Sequence, residues 1–327
     1  MFDDPCRGHL YLTDLSTKDK PWDYHRANAM TVQGMFEGSD LSRYAERICE
    51  CSRRLVFALT ATDENEFKMR LHAVHFCGCR QCPVCQWRRS KVWRARFIQA
   101  VPHLKSDYPT ARYVFLTLTV RNCPINELRD TLKRMNKAWE RLSQRKEFPA
   151  IGWVKSIEVT RNAEDNSAHP HIHALLMVRS NYFSTGYVKQ ERWRELWQAS
   201  LRVEYLPVVH IVTVKNRPSK APVDSGMDAI NDSDGLLYGI LETLKYGVKV
   251  SDLIADRDWL IELALQTHKT RSVAVGGVLK AYLRDNEPED LLTEEESLDP
   301  VPEDALLLYF DWFQQVRRYA KVDPQAP

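Results

Sequence analysis

Five residues, HPHIH at positions 169–173, constrain this chain more than any other stretch. In a β-strand successive side chains point to opposite faces, so His171 and His173 project to the same side, one strand step apart. Two imidazoles so placed can reach a single metal ion. Upstream, residues 153–160 (WVKSIEVT) are rich in β-forming types and predict a second strand. The connection between them, residues 161–168 (RNAEDNSA), is turn-forming, so the two strands fold as an antiparallel hairpin. A turn centred near residues 164–165 sets Glu158 opposite His171 or His173, on the face it shares with Ser156 and Thr160. A carboxylate across from two imidazoles makes a mixed oxygen–nitrogen site with open positions. That donor set suits Mg²⁺ or Mn²⁺ bound to a phosphate better than a closed structural zinc.

Residues 113–120 (YVFLTLTV) predict a further strand, and residues 171–178 (HIHALLMV) the histidine strand itself. Helical patterns cover residues 125–144, 188–202, 236–250 and 256–266, with an amphipathic C-terminal helix expected over 305–319. The first ~45 residues read as an ordered arm around Pro21, Trp22 and Tyr24. Antiparallel strands with interspersed helices make an α+β fold with a sheet core flanked by helices. At 327 residues, 44% hydrophobic and 28% charged, the chain has the composition of a globular protein. No apolar run nears the ~20 residues of a membrane helix, and residues 1–10 lack the pattern of a secretory signal. A cytoplasmic protein with no membrane partner is expected.

That expectation decides how the cysteines are read. Of the eight, Cys77, Cys79, Cys82 and Cys85 fall within nine residues, and Cys49 and Cys51 precede them. In a reducing compartment such clustering points to metal rather than disulfides. Cys82-Pro-Val-Cys85 is a knuckle, and with Cys77 and an arm from Cys51 or Cys49 it would bind a structural Zn²⁺. Residues 77–106 hold seven basic and no acidic side chains, whereas residues 285–304 hold ten acidic and no basic ones. The first stretch is a candidate for phosphate contact through Arg88, Arg89, Lys91 and Arg94, and the second for a solvated linker. Trp87 and Trp93, interleaved with the basic residues, would either stack on exposed bases or anchor the helix in a core.

In residues 236–250 (LLYGILETLKYGVKV), Leu237, Leu241, Leu244 and Val248 form an apolar stripe if the whole segment is helical. Glu242, Tyr246 and Lys249 then form a second stripe of neighbours. A tyrosine suits the cutting of DNA that must be rejoined, because its phosphodiester conserves the energy of the broken bond. A nearby lysine would stabilise phenolate charge. Tyr238, two turns earlier, competes for the same role.

Three segments in order, FLTLT (115–119), HPHIHALL (169–176) and ETLKYGVK (242–249), resemble the motifs of the HUH endonucleases, specifically the replication initiators of small rolling-circle plasmids. KPWDYHR, CSRRLVF and CGCRQCPVCQWRRS in the N-terminal part resemble the same family, and the likeness runs from about Lys20 to Leu283. Cys79 departs from the pattern as an extra thiol between Cys77 and Cys82. The resemblance implies that His171, His173 and Glu158 ligate the metal and that Tyr246 attacks the scissile phosphate. A 5′-phosphotyrosine and a free 3′-OH would result. It further implies that Glu242, four residues before the tyrosine, activates water to end the cycle, and that Cys51 is the fourth zinc ligand.

The expected organisation is an N-terminal region with the zinc knuckle and a basic helix (1–108) and a HUH catalytic domain (109–284). An acidic linker and C-terminal helix (285–327) would follow. Expected partners are single-stranded or hairpin origin DNA, a host helicase and a DNA polymerase. No GxxxxGK[ST] loop is present, so unwinding falls to another protein. Competing readings are a single-tyrosine transposase or relaxase, and a non-catalytic zinc-dependent DNA-binding protein.

Overall fold

Both strands of the histidine hairpin form, each longer than its sequence pattern. The computed structural model describes residues 10–61, 67–214, 235–245, 247–283, 291–292 and 305–324, without the side chains of Ala61, Leu237 and Tyr238. In chain order these residues form helices α1 (Leu12–Leu15), α2 (Lys20–Phe36) and α3 (Ser42–Glu50), then strands β1 (Arg54–Ala61) and β2 (Phe67–Val74). Helix α4 (Pro83–Asp107), strand β3 (Arg112–Thr119), helix α5 (Leu128–Ser143) and strands β4 (Ala150–Arg161) and β5 (Ala168–Val178) follow. Next come α6 (Gln190–Leu201), β6 (Val209–Thr213), α7 (Gly235–Thr243), α8 (Val250–Leu253) and α9 (Arg257–Thr267). Strands β7 (Val273–Gly277), β8 (Leu306–Phe313) and β9 (Arg318–Val322) complete the order. No helix among the described residues is long and apolar enough to cross a membrane.

The described residues fall into two units, one within Met1–Val92 and Glu289–Pro327, the other within Trp93–Ala221 and Asn231–Pro288. In the first, strands in the order β2-β1-β8-β9 form an antiparallel sheet. Helix α2 buries Trp22, Ala29, Val32 and Phe36, and α3 buries Ala45 and Ile48. The sequence-predicted arm is therefore helical.

The second unit is a five-stranded antiparallel sheet in the order β6-β3-β5-β4-β7, with the histidine strand in the middle. Alternation gives it two unlike faces. Val154, Leu175 and Met177 pack with Phe97 and Leu104 of α4, with Leu236 and Ile240 of α7 and with Leu244 just after it. Further along the same face, alternation sets Glu158 on β4 and His171 and His173 on β5. Gly239 lets α7 lie close to the sheet, since a Cβ there would come within 3.0 Å of the Leu175 side chain. On the opposite face α5 packs over Lys155, whose ammonium donates to Asn136 and stands 5.5 Å from the Trp139 ring centroid.

Two expectations are corrected. The C-terminal segment is not a helix but the β8–β9 hairpin. Leu306, Tyr309, Phe310 and Phe313 satisfy a helical repeat, whereas the buried Leu308 and Phe310 follow a strand alternation, and the aromatic residues favour a strand once an edge is available. Strand β1 supplies that edge, and Arg54 binds both Asp311 carboxylate oxygens at 2.7 Å across the pairing. The helix expected over 236–250 ends at Thr243; Leu236, Ile240 and Leu244 are buried, so of the predicted stripe Leu244 reaches the core while Leu241 and Val248 are half-buried. The acidic stretch 285–304 lies outside the described residues apart from Leu291 and Leu292.

Candidate functional site

Register puts Glu158 directly across from His171, and Ser156 across from His173. Glu158 Oε2 lies 3.1 Å from His171 Nε2 and 3.0 Å from His173 Nε2, so one carboxylate oxygen faces both imidazoles. On the other flank of β5, Thr117 Oγ1 is 3.3 Å from His173 Nδ1, and Phe115 stacks on the His173 ring at 5.5 Å. The His171 Nδ1 is 3.3 Å from the His169 carbonyl oxygen. Partners at both Nδ1 atoms turn the two Nε2 atoms toward Glu158.

Burial would push the Glu158 carboxyl up, but hydrogen bonds from His171 and His173 and the charge of Lys245 outweigh it and hold it well below the usual carboxylate range. Burial lowers His173, keeping that imidazole neutral and able to ligate. A carboxylate oxygen and two imidazole nitrogens gathered on one patch of the sheet fit a divalent cation with open coordination positions.

The tyrosine segment reaches this patch along the edge of β4. Strand β7 pairs with β4 only as far as Ser156. Beyond it, the N–H groups of Ile157, Val159 and Arg161 donate to the Ser272 carbonyl, the Gly247 carbonyl and the Asp252 carboxylate at 2.8–3.0 Å. The Ser156 hydroxyl donates to the Thr243 carbonyl. These bonds draw the chain out of the helix after Thr243 and lay it beside Glu158. Tyr246 itself lies outside the described residues, as does the side chain of Tyr238. Its neighbours on both sides are anchored.

The same departure overturns the helical stripe of Glu242, Tyr246 and Lys249. Lys249 is exposed in extended backbone and caps α8. The cation that meets Glu242 is Lys245, which the sequence reading did not single out. Its Nζ is 2.6 Å from Glu242 Oε1 and 3.3 Å from Glu158 Oε2. Burial would lower this lysine, but the hydrogen bond to Glu242 and the charge of Glu158 raise it and keep it an ammonium. Only the end of α7 could have revealed it, and nothing local in ETLKYGVK marks that end.

The cysteine cluster is in the first unit. Sγ of Cys51 lies 3.6 Å from Cys85 and 3.7 Å from Cys82, and Cys77 lies 3.6 Å from Cys85. Tetrahedral zinc with bonds of ~2.3 Å places its sulfurs about 3.8 Å apart, so the four buried thiols fit that ion. Hydrogen bonds from Cys51, Cys79, Cys82 and Cys85 hold the Cys77 thiol well below its usual range. Cys79 contributes its amide, 3.5 Å from Cys77 Sγ. The carbonyl of Cys49 accepts from Arg26, as do those of Ile48 and Cys51, at 2.7–2.8 Å. Gly78, at φ +66°, makes the turn between Cys77 and Cys79.

Of the four basic residues read as phosphate contacts, Arg88 is buried, and Arg89, Lys91 and Arg94 are half-buried. Arg88 is buried, donates to the Leu291 carbonyl at 3.0 Å and lies over the rings of Trp22, Phe76 and Trp87. A buried guanidinium cannot meet a phosphate in solvent, so its DNA-binding role is withdrawn. Arg89 donates to the Gly78 carbonyl, Arg94 donates to the Leu241 carbonyl, and Lys91 lies over the Trp87 ring. Trp87 and Trp93 are buried and anchor α4 in the core.

Residues 68–320 match the family described as replication protein. The protein rep of Streptococcus pneumoniae serotype 2 is 33% identical over 270 residues, covering 80% of this chain and 78% of that protein. A protein rep of Bacillus amyloliquefaciens is 31% identical over 291 residues, 84% of each chain. One from Lactiplantibacillus plantarum is 34% identical over 233 residues, 68% of this chain and 70% of that one. No solved structure matches the chain.

Proposed function

The chain belongs to the replication-protein family, and from that premise we propose that it initiates rolling-circle replication of a plasmid by nicking one strand at the origin. The observation that carries the reading is the single oxygen of Glu158 facing both His171 and His173, with Lys245 and Gly247, the residues flanking Tyr246, tied to the same strand.

Glu158, His171 and His173 would hold Mg²⁺ or Mn²⁺, which when bound supplies charge to polarise the scissile phosphate. The Tyr246 hydroxyl oxygen attacks phosphorus and loses its proton. The P–O3′ bond breaks, and the 3′ oxygen takes up a proton to become a free 3′-OH able to prime a polymerase. The 5′ phosphate stays on the tyrosine as a phosphodiester, ready for strand transfer. The Lys245 ammonium stabilises negative charge on the phenolate oxygen and holds Glu242 beside Glu158. In the closing step Glu242 takes a proton from a water that attacks phosphorus, the P–O3′ bond of the regenerated origin breaks with its 3′ oxygen taking up a proton, and that 3′-OH attacks the phosphotyrosine, joining the strand and returning a proton to the freed Tyr246. Cys51, Cys77, Cys82 and Cys85 would hold a structural zinc, which when bound would fix the first unit where the four buried thiols converge.

Incubating the protein with supercoiled origin plasmid and Mn²⁺ tests the reading. Open circles with protein-linked 5′ ends are expected. If the plasmid remains supercoiled with active, metal-loaded protein, the nickase assignment fails and a purely DNA-binding role takes its place.

A further inference from the structure

With Arg88 buried, further cationic surfaces come into question for DNA contact. At the end of the five-stranded sheet away from the histidines lies a groove of about 620 Å³. Lys146, Glu147, Arg179, Tyr187, Lys189 and Arg192 line it among others. Among the described residues Glu147 is the only carboxylate in the lining, and Arg192 binds it at 2.5 Å while also meeting Glu195 at 2.6 Å. Lys146, Arg179 and Lys189 are exposed and make no ion pair among the described residues. Three uncompensated cations on one concave wall create a positive potential that a polyanion would neutralise.

The groove also has a preformed edge. Tyr187 is 56% exposed, and its ring is 5.7 Å from that of Tyr182, which is buried and points its hydroxyl at the Val188 carbonyl. A single exposed ring is too little to stack a run of unpaired bases, whereas three cations match the closely spaced phosphates of a duplex. Arg179 directly follows β5, eight residues after His171. At ~3.3 Å per residue that is about 26 Å, the length of roughly eight base-pair steps.

We propose that this groove binds the phosphate backbone of duplex DNA about eight base pairs from the nick, positioning the origin for cutting. The inference rests on the nickase reading, and its test keeps the two apart. Phosphate contacts are independent of sequence, so the probe is a labelled duplex of about 25 base pairs of arbitrary sequence, titrated over a range of KCl concentrations. Replacing Lys146, Arg179 and Lys189 together by Gln in the full chain should weaken binding at least tenfold at low salt. It should also make the salt dependence shallower by about 2.7 in the log–log slope. A control carrying Lys133→Gln, Lys137→Gln and Lys321→Gln, the same charge change outside the groove, should keep the wild-type slope. Nicking of a short single-stranded oligonucleotide spanning the nick site should stay within about twofold in the groove variant. If the groove and control variants lose affinity equally, or the slope is unchanged, the groove is not the site. If Tyr187→Ala weakens binding of a single strand more than of the duplex, the groove takes unpaired DNA and the duplex assignment is overturned. Absence of nicking by the wild type would sink the nickase reading while leaving the binding comparison intact.

Discussion

Glu158 and His171 stand directly opposite each other on adjacent antiparallel strands, with Oε2 and Nε2 3.1 Å apart, and His173 meets the same oxygen at 3.0 Å. A cation bound there stabilises the native state by its binding free energy. With Mn²⁺ at about a hundred times its Kd, unfolding should cost about 2.7 kcal/mol more than without metal. Glu158→Ala removes the anionic ligand, and less than about 1 kcal/mol of that increment should survive. Calorimetric melting with and without Mn²⁺ checks this. An undiminished increment in the variant would move the metal elsewhere.

Lys245, not Lys249, carries the positive charge beside the two carboxylates. Lys245→Met should lower the nicking rate about 10- to 100-fold, with partial recovery in Lys245→Arg. Lys249→Ala, at an exposed position past the end of α7, should cost less than about threefold. Single-turnover nicking assays on the three variants decide the matter, and a larger loss at Lys249 would restore the continuous helix.

The cysteine set yields a prediction by elimination. Purified protein should hold about one zinc ion per chain, retained in Cys79→Ser and lost in Cys85→Ser. Elemental analysis measures the content, and melting should show Cys85→Ser to be the less stable variant. Zinc lost equally from both would make Cys79 a ligand.

Asp23 accepts the Tyr319 N–H at 2.9 Å, and burial pushes its carboxyl from 3.8 up to about 6. The folded state binds this proton more tightly than the unfolded chain. Its contribution to stability is therefore fully present below pH 3.8 and is lost as pH rises through about 6. Partial solvent access limits the effect to about 1–2 kcal/mol. Asp23→Asn should erase that fall in stability, read as the change in urea midpoint across this pH window against wild type. An equal pH response in the variant would assign it to another group.

How much of this was legible in advance depended on the distance over which each contact acts. The pairing of Glu158 with His171 could be read because a short turn sets hairpin register and a two-residue period sets the face. The convergence of Cys77, Cys82 and Cys85 could be read because they lie within nine residues. Lys245 could not, because α7 ends where β4 offers unpaired N–H groups, a tertiary event with no local marker. The C-terminal hairpin and the burial of Arg88 were equally hidden. Arg54 and Asp311 are 257 positions apart, and Arg88 and Leu291 are 203. Local periodicity carries no information over such separations.

The central claim is that a tyrosine between Lys245 and Gly247 attacks DNA beside the Glu158, His171 and His173 site. The most direct measurement is mass spectrometry of the peptide–oligonucleotide adduct trapped after cleavage of an origin oligonucleotide with Mn²⁺. The account predicts a 5′-phosphate linked to Tyr246 and no adduct in Tyr246→Phe. An adduct on Tyr238, or cleavage that leaves no protein-linked end, would contradict it.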